Sequence, residues 1–578
     1  MKVIVKGQGE VNLTQQHFVA TGGQASVYVR DDIAYKIYTD PKTTIPSEKF
    51  HTLATIQDPC VIKPNRLLID TKNKPIGYTM DAVVDTWSLC QLFTRSFRDR
   101  ERVTNDHIIE IASKLRSHVS NVHAAGVVIV DLNELNLLVP KSLGDVFLID
   151  VDSYQTQGYP ATVIMPSVRD WSSKSFTPLS DWFSYGVLAF SLFIGVHPYK
   201  GTHAASAAID KDKRLEHRMR ANISAFRSDV SLPKCCYAFD VIPGVFRDWL
   251  RAVLDDGKRL PPPDPKGGPI AAIITTPTVL NSTGKLTITQ ARAFAGWEVA
   301  AYAESGGYTL ALVRQASEAR VQLNDLLIGG KLAELATGTT LIGFTPKREL
   351  PVALNLHQGK LTFLNLKART AETLPIRADE IAKAGERFYL KSGTRVLELE
   401  FSELSNENVI VTASHCVADV LAMASRLYEG CAIQNMLGSV FVSLFPRSHA
   451  GYQVQVKDLD SYKIVDAKAD GRVLMVIGAK GGRYDRLIFR FDEEFSSYDL
   501  RTVSDITPAG LNFVTLASGI CVSLTEDEHL EAFSAHKGAT SIRAVEDEAL
   551  GNDMRLLKVG GAAGFARGDK VYKVSLKQ

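Results

Sequence analysis

Apolar and polar positions fall into two regimes along the chain. Up to about residue 255 strand and helix periods are mixed, whereas beyond residue 270 short strand-like alternations prevail. Phe18 to Tyr38, FVATGGQASVYVRDDIAYKIY, predicts a β-hairpin with a glycine-rich tip at Gly22-Gly23 and a further turn at Asp31-Asp32. Pro46-Ser47 signals a helix start ahead of EKFHTLATI. LLID and IGYTMDA, within Leu67 to Ala82, read as two strands joined by TKNKP. Ile108, Ile111, Leu115, Val119 and Val122 form one face of an amphipathic helix that stops at Gly126. Val127 to Gln155 then gives two short apolar runs. Each delivers an aspartate, Asp131 and Asp150, and Asn136 follows five residues after the first. Tyr185 to Val196 is nearly all apolar, as suits a buried helix, and is too short to span a bilayer.

Asp255 to Pro269, DDGKRLPPPDPKGGP, breaks every periodic pattern and reads as a linker over 256–270 that holds two domains at a semi-fixed separation. Residues 271–578 are all-β in character. Leu397, Leu399 and Phe401 alternate with Glu398 and Glu400. Val473 to Ile477 turns at GAKGG and returns through Leu487 to Phe491, and Phe513 to Leu516 returns through Ile520 to Leu524. Hairpin units recur at roughly 40–50 residues, the scale of a propeller blade, so a β-propeller of six or seven blades is expected. His415-Cys416 has no readable base or orienting partner and gives no catalytic signal.

Composition narrows the class. Hydrophobic residues make up 45% and charged residues 22% of 578, as in a globular protein large enough for several cores. The net charge of +2, from 66 basic and 64 acidic residues, provides no bulk field for nucleic acid or an anionic membrane. Seven cysteines without a CxxC pair indicate neither a zinc ribbon nor a disulfide framework. MKVIVKGQGE lacks the apolar stretch of a signal peptide. A cytoplasmic protein without nucleic-acid or membrane partners is the expectation.

The candidate chemistry lies in the first half. Glycines at 22 and 23 with small residues Ala25 and Ser26 let backbone amides approach a phosphate, although an ordinary hairpin turn has the same composition. Lys36 sits between apolar residues on a strand and needs an anion to offset its desolvation. Glu48 is the glutamate of the helix that follows, and a solvated first-turn glutamate accounts for it equally well. Asp131, Asn136 and Asp150 read together as a Mg-nucleotide site.

This order of motifs, over roughly residues 10 to 255, resembles the protein-kinase superfamily in a divergent bacterial form. The resemblance implies an α+β bilobal domain at 10–255 that binds ATP and Mg²⁺. Gly22, Gly23, Ala25, Ser26, Lys36, Met80 and Ala82 would bind the nucleotide, with Met80 at the gatekeeper place. Glu48 would pair with Lys36, Asp131 would orient the attacking hydroxyl, and Asn136 and Asp150 would hold the metal. Asp181, at the start of SDWFSYGVLAF, would brace the loop backbone, and MPSVRDW stands where an activation segment ends.

Three departures stand out. Ile129-Val130 replaces the usual His-Arg, Asn133 replaces a lysine, and Asp150-Val151-Asp152 makes Asp152 a rival to Asp150 for the metal. The implied activity is ATP-dependent phosphoryl transfer to a protein Ser/Thr hydroxyl, with the β-rich domain recruiting substrate or sensing a signal through a protein or ligand partner. A nucleotide-binding pseudokinase scaffold and a small-molecule kinase are the alternatives. Ser153, Thr156, Thr162 and Ser167 are candidate autophosphorylation sites.

Overall fold

The computed structural model describes residues 1–161, 163–267, 284–315, 318–324, 326–328, 335 and 338–576. Thr162, the end of the expected linker at 268–270 and the opening of the expected β-rich domain at 271–283 lie outside the described residues. The chain forms two compact units. The first comprises Met1–Pro277 with the short segments Ala479–Asp485 and Ser504–Gly510, and the second comprises the remainder.

The first unit opens with an antiparallel sheet of seven strands: β1 (Lys2–Val5), β2 (Gly9–Asn12), β3 (Phe18–Thr21), β4 (Ala25–Arg30), β5 (Ile33–Tyr38), β6 (Arg66–Ile69) and β7 (Pro75–Asp81). Their order is β2-β1-β6-β7-β5-β4-β3. The predicted glycine-tipped hairpin is thus a three-stranded meander. Gly22-Gly23 joins β3 to β4, and Asp31-Asp32, both at positive φ (52° and 61°), joins β4 to β5. Two-residue hairpin turns with positive φ match the twist of the flanking strands. Strand β5 alternates faces. Ala34 and Tyr38 join a core with Phe50 of α1 (Ser47–Ala54), Ile62, Tyr78 and Met80, while Tyr35 packs with Val3, Val5, Leu13 and Leu68. Lys36 shares the α1 face by this period of two.

A helical part follows. It contains β8 (Thr86–Ser88), α2 (Arg95–Glu101), α3 (Asn105–Ala124), β9 (Leu137–Pro140), β10 (Phe147–Leu148), α4 (Pro178–Ile194), α5 (Lys211–Arg220) and α6 (Gly244–Leu254). Thr104 caps α3, Thr177 caps α4 with Pro178 in its first turn, and Gly195 ends α4 at φ 84°. From Ser180 to Ile194 every residue of α4 is buried. Each of its fully buried Val, Leu, Ile and Phe side chains contributes about 1.5–3 kcal/mol by leaving water. The described part of the proline-rich segment is strapped to these helices. Ser113 Oγ donates to Asp264 at 2.8 Å, Arg116 Nε to the Pro262 carbonyl at 2.9 Å, and Trp249 Nε1 to the Leu260 carbonyl at 3.1 Å. No helix among the described residues is long and apolar enough to cross a membrane.

In the second unit the described residues form seven antiparallel sheets, each of four strands. Six take consecutive strands. In the seventh, Leu286–Ala293 pairs with Lys570–Leu576, followed by Ala562–Arg567 and Arg555–Val559. Apolar cores join each sheet to the next in sequence. Two more, built around Phe565 and around Val559, join the seventh to its neighbours on either side, so the series of cores returns to its start.

Candidate active site

The loop from Ile129 to Asn136 is built around a tight turn. Asp131 N–H donates to the Ile129 carbonyl at 2.8 Å, with Val130 between them at φ 67°. A three-residue turn with positive φ is the strained form, and a β-branched residue tolerates it poorly. Val130 is nonetheless almost completely buried. Asp181 holds the turn: Oδ1 accepts Val130 N–H at 2.9 Å, and Oδ2 accepts Ile129 N–H at 2.8 Å and bonds His123 Nε2 at 2.9 Å. Asp181 is itself fully buried in the first turn of α4, so the brace expected from its position is made.

Asn133 closes the loop from inside. Its Oδ1 accepts Leu135 N–H at 2.8 Å and Asn136 N–H at 3.3 Å, and Asn136 Nδ2 donates to the Asp131 carbonyl at 3.2 Å. The asparagine standing where a lysine was expected therefore shapes backbone. Strand register then sets Asn136 against the strand that ends in Asp150. Leu137 lies opposite Leu148, and Ile149 N–H donates to the Asn136 carbonyl at 3.0 Å.

Lys36 reaches Asp150 Oδ1 at 2.5 Å and Asp152 Oδ1 at 2.6 Å. Tyr38 hydroxyl donates to the second oxygen of Asp152, and Lys49 Nζ donates to the Asp152 carbonyl at 2.7 Å. Burial disfavours the Lys36 charge, but the two carboxylates outweigh it and raise its pKa. Burial likewise pushes the Asp152 carboxyl up, and Lys36 with the tyrosines Tyr38 and Tyr78 pulls it below the usual range. The Asp152 side chain is 8% exposed and that of Asp150 is 43% exposed. Asp152 thus holds Lys36, and Asp150, at φ 63° on the strand end, is the more open carboxylate.

Glu48 does not pair with Lys36. It lies on the outer face of α1, exposed, and accepts from the Tyr159 hydroxyl. The next residue, Lys49, is the one that α1 turns inward, and the anions that Lys36 requires come from Asp150 and Asp152. Lys49, Tyr38 and Asp152 are the site residues that sequence reasoning either missed or set second.

At the glycine tip Gly22 N–H is returned to the Ala25 carbonyl at 2.8 Å, and Ser26 Oγ bonds Thr21 Oγ1 at 2.9 Å. Neither glycine adopts positive φ, and a Cβ at Gly23 would meet open space. The tip is exposed and uncrowded, but its backbone does not itself demand glycine. Met80 is buried opposite Ala34, and Ala82 N–H is donated to the Asp32 carbonyl at 3.1 Å.

Asp131 Oδ1 accepts Met165 N–H at 2.8 Å. Burial pushes the Asp131 carboxyl above the usual range, against the pull of that bond and of Asn133. The segment leaving Met165 is anchored at Asp170, whose two oxygens take a bidentate pair from Arg259 at 2.6 and 2.7 Å. Asn136, just before β9, and Asp150, just after β10, offer hard oxygen donors, a set suited to Mg²⁺.

No family model and no curated protein sequence matches this chain. Among solved structures it is similar to the Cydia pomonella granulovirus kinase PK-1, at 15% identity and a TM-score of 0.31. That similarity covers 42% of this chain and 87% of the viral one.

Proposed function

We propose that the first unit is an ATP-dependent phosphotransferase of the protein-kinase type, acting on protein Ser/Thr hydroxyls. One observation carries this reading. A single loop and a single strand end bring Asp131, Asn136 and Asp150 together, with Lys36 bonded to Asp150. Phosphoryl transfer depends mainly on positioning and charge, which this set provides. Lys36 would hold nucleotide phosphates, and Gly22-Gly23 leaves room above them. Asp131, with its raised pKa, is suited to orient a hydroxyl and take its proton. Asn136 and Asp150 would hold Mg²⁺, which when bound neutralises phosphate charge. Transfer of labelled phosphate from Mg-ATP to the chain itself or to candidate proteins tests the reading. Asp150→Ala and Asp131→Ala should each abolish transfer, and a wild-type chain that never transfers label defeats the enzyme claim.

A second reading, a nucleotide-binding scaffold without turnover, draws on a different observation. Lys36 is already neutralised by two carboxylates, and Asp131 is capped by the Met165 amide. A thermal shift with Mg-ATP in the absence of any turnover would favour it. For the second unit we propose a seven-bladed β-propeller that binds a protein or ligand partner. Its support is the series of apolar cores that returns from the last sheet to the first.

A further inference from the structure

Lys36 is met by two carboxylates where one would balance its charge. Asp150 Oδ1 lies 2.5 Å and Asp152 Oδ1 2.6 Å from its Nζ, and the rings of Tyr38 and Tyr78 each have their centres 5.8 Å away. An ammonium carries three donors, so these two bonds leave one for an incoming oxygen. The two aspartates stand two residues apart in the chain and are held very differently.

Asp152 is tied down at three atoms. It lies in the 3₁₀ turn Val151–Ser153, where Ser153 N–H and Ser153 Oγ donate to the Asp150 carbonyl at 3.1 and 2.8 Å. Beyond the turn, Gln155 N–H donates to the Val128 carbonyl at 2.8 Å and Val128 N–H to the Gln155 carbonyl at 3.1 Å. Lys36 takes one carboxylate oxygen of Asp152, the Tyr38 hydroxyl takes the other, and Lys49 of α1 takes its carbonyl at 2.7 Å. Turning this side chain away would leave a buried charge and a buried hydroxyl without partners, which is costly. Asp150 has no such ties. Its side chain is 43% exposed against 8% for Asp152, and among the described residues Lys36 is the only hydrogen-bond partner of its carboxylate. An exposed contact of this kind is exchanged at little cost.

We propose that Asp152 is the positioning residue for Lys36 and that Asp150 is the exchangeable one, leaving Lys36 for the metal when Mg-nucleotide binds. This rests on the phosphotransferase reading of the first unit. Asp152 keeps Lys36 seated throughout, so the lysine meets the phosphates without first having to be ordered. The departure of Asp150 frees a donor of Lys36, withdraws a negative charge from the phosphates and releases a carboxylate to act with Asn136. Lys49 acts one step further back. It joins α1 to the Asp152 carbonyl, so the helix supports Lys36 through a cation on main chain, whereas Glu48 is engaged with Tyr159. Only the Asp150 side chain has to turn; α1 and the 3₁₀ turn stay in place.

Calorimetry of ATP binding to the full-length chain, in chelator and with Mg²⁺, tests this division without turnover. In the wild type Mg²⁺ should tighten ATP binding. Asp150→Asn should abolish that tightening yet bind metal-free ATP about two- to fivefold more tightly than the wild type, because an exposed repulsive charge is gone. Asp152→Asn should keep a tightening by Mg²⁺ but lower Mg-ATP affinity about 10- to 100-fold, because Asp150 cannot serve the metal and Lys36 together. Tyr38→Phe leaves every charge in place and should lower Mg-ATP affinity about 2- to 10-fold. A merely structural role for Asp152 would not separate the metal-free from the metal-bound affinity in this way. Loss of metal-free ATP binding in Asp150→Asn would make Asp150 the residue that seats Lys36, and overturns the proposal. That variant alters an open side chain, so its result stands even where Asp152→Asn fails to fold. A Mg²⁺ effect lost in Asp152→Asn and kept in Asp150→Asn would make Asp152 the metal ligand, and overturns it too. A wild-type chain that binds no ATP defeats the phosphotransferase reading itself, and the proposal with it.

Discussion

Replacing Asp181 by asparagine tests how the strained turn at Val130 is held. The native carboxylate serves Val130 N–H through Oδ1 and serves Ile129 N–H and His123 through Oδ2. An amide keeps one oxygen. It does best by retaining the Oδ2 pair, which turns its NH₂ toward Val130 N–H. The lost charge-assisted bond and the orphaned amide together cost about 3 kcal/mol. Release of the clasp lets Val130 leave its left-handed conformation, which returns about 1–2 kcal/mol. Asp181→Asn should therefore lower the unfolding free energy by about 2 kcal/mol in the native background. In a Val130→Gly background no strain remains to be returned, and the same substitution should cost about 3 kcal/mol. Urea denaturation followed by tryptophan fluorescence measures both. Trp182 adjoins Asp181 in the chain and packs edge-on to His123 at 5.1 Å, so it reports locally. A cost for Asp181→Asn below about 1 kcal/mol would mean that the two amides do not depend on Asp181. A smaller cost in the glycine background than in the native one would refute the strain argument. Phosphate transfer, if the enzyme reading holds, should fall about 100-fold with the displacement of Asp131, while nucleotide affinity stays near its native value.

Further predictions follow from the same geometry. Glu48→Gln should leave Mg-ATP affinity within about threefold, because an exposed contact to Tyr159 contributes little. Lys36→Met should strand Asp152 without its cation, lower stability by about 3–5 kcal/mol and abolish Mg-ATP binding in calorimetry. Gly77→Ala would drive a Cβ into the Lys36 carbonyl, so β5 and β7 must separate; loss of protection at the Lys36 strand in hydrogen exchange would show it. Burial raises the Asp170 carboxyl, but Arg259 and Ser172 outweigh it and hold it below the usual range. The stability from that pair is therefore fully present above the ordinary carboxylate pKa and is lost as pH falls through the depressed value. Between pH 5 and pH 2 the wild-type chain should lose more stability than Asp170→Asn, measured by urea midpoints, and equal slopes would refute the pairing.

Much of the candidate site was legible because backbone register follows from short-range pattern. Two apolar runs of strand period place Asn136 and Asp150 side by side once a hairpin joins them, and no distant contact decides that. The brace that Asp181 makes was implied by the resemblance of the apolar helix it lies in, not by spacing alone. Of the two readings of Glu48, the exposed first-turn glutamate is the one found; α1 has only eight residues, and its packing, not its periodicity, chooses which of Glu48 and Lys49 faces inward. Asp152 was set second because nothing in DVD reveals the short 3₁₀ turn, Val151–Ser153, that carries it into the interior. The Gly22-Gly23 tip has a conformation open to other residues, so its composition alone did not decide between a phosphate cradle and an ordinary turn. Hairpin recurrence suggested the repeated sheets of the second unit, but only the long-range pairing shows how the series closes.

That closing sheet also has a timetable. Leu286–Ala293 finds its partner only when Lys570–Leu576 has been made. At ribosomal rates of about 5–20 residues per second, this leaves its edge unpaired for roughly a quarter of a minute to a minute. During that interval the Leu286–Ala293 strand presents an edge that can pair with another nascent chain. Deleting the Lys570–Leu576 strand would therefore do more than trim one sheet. It would leave the aggregation-prone intermediate of synthesis as the permanent product.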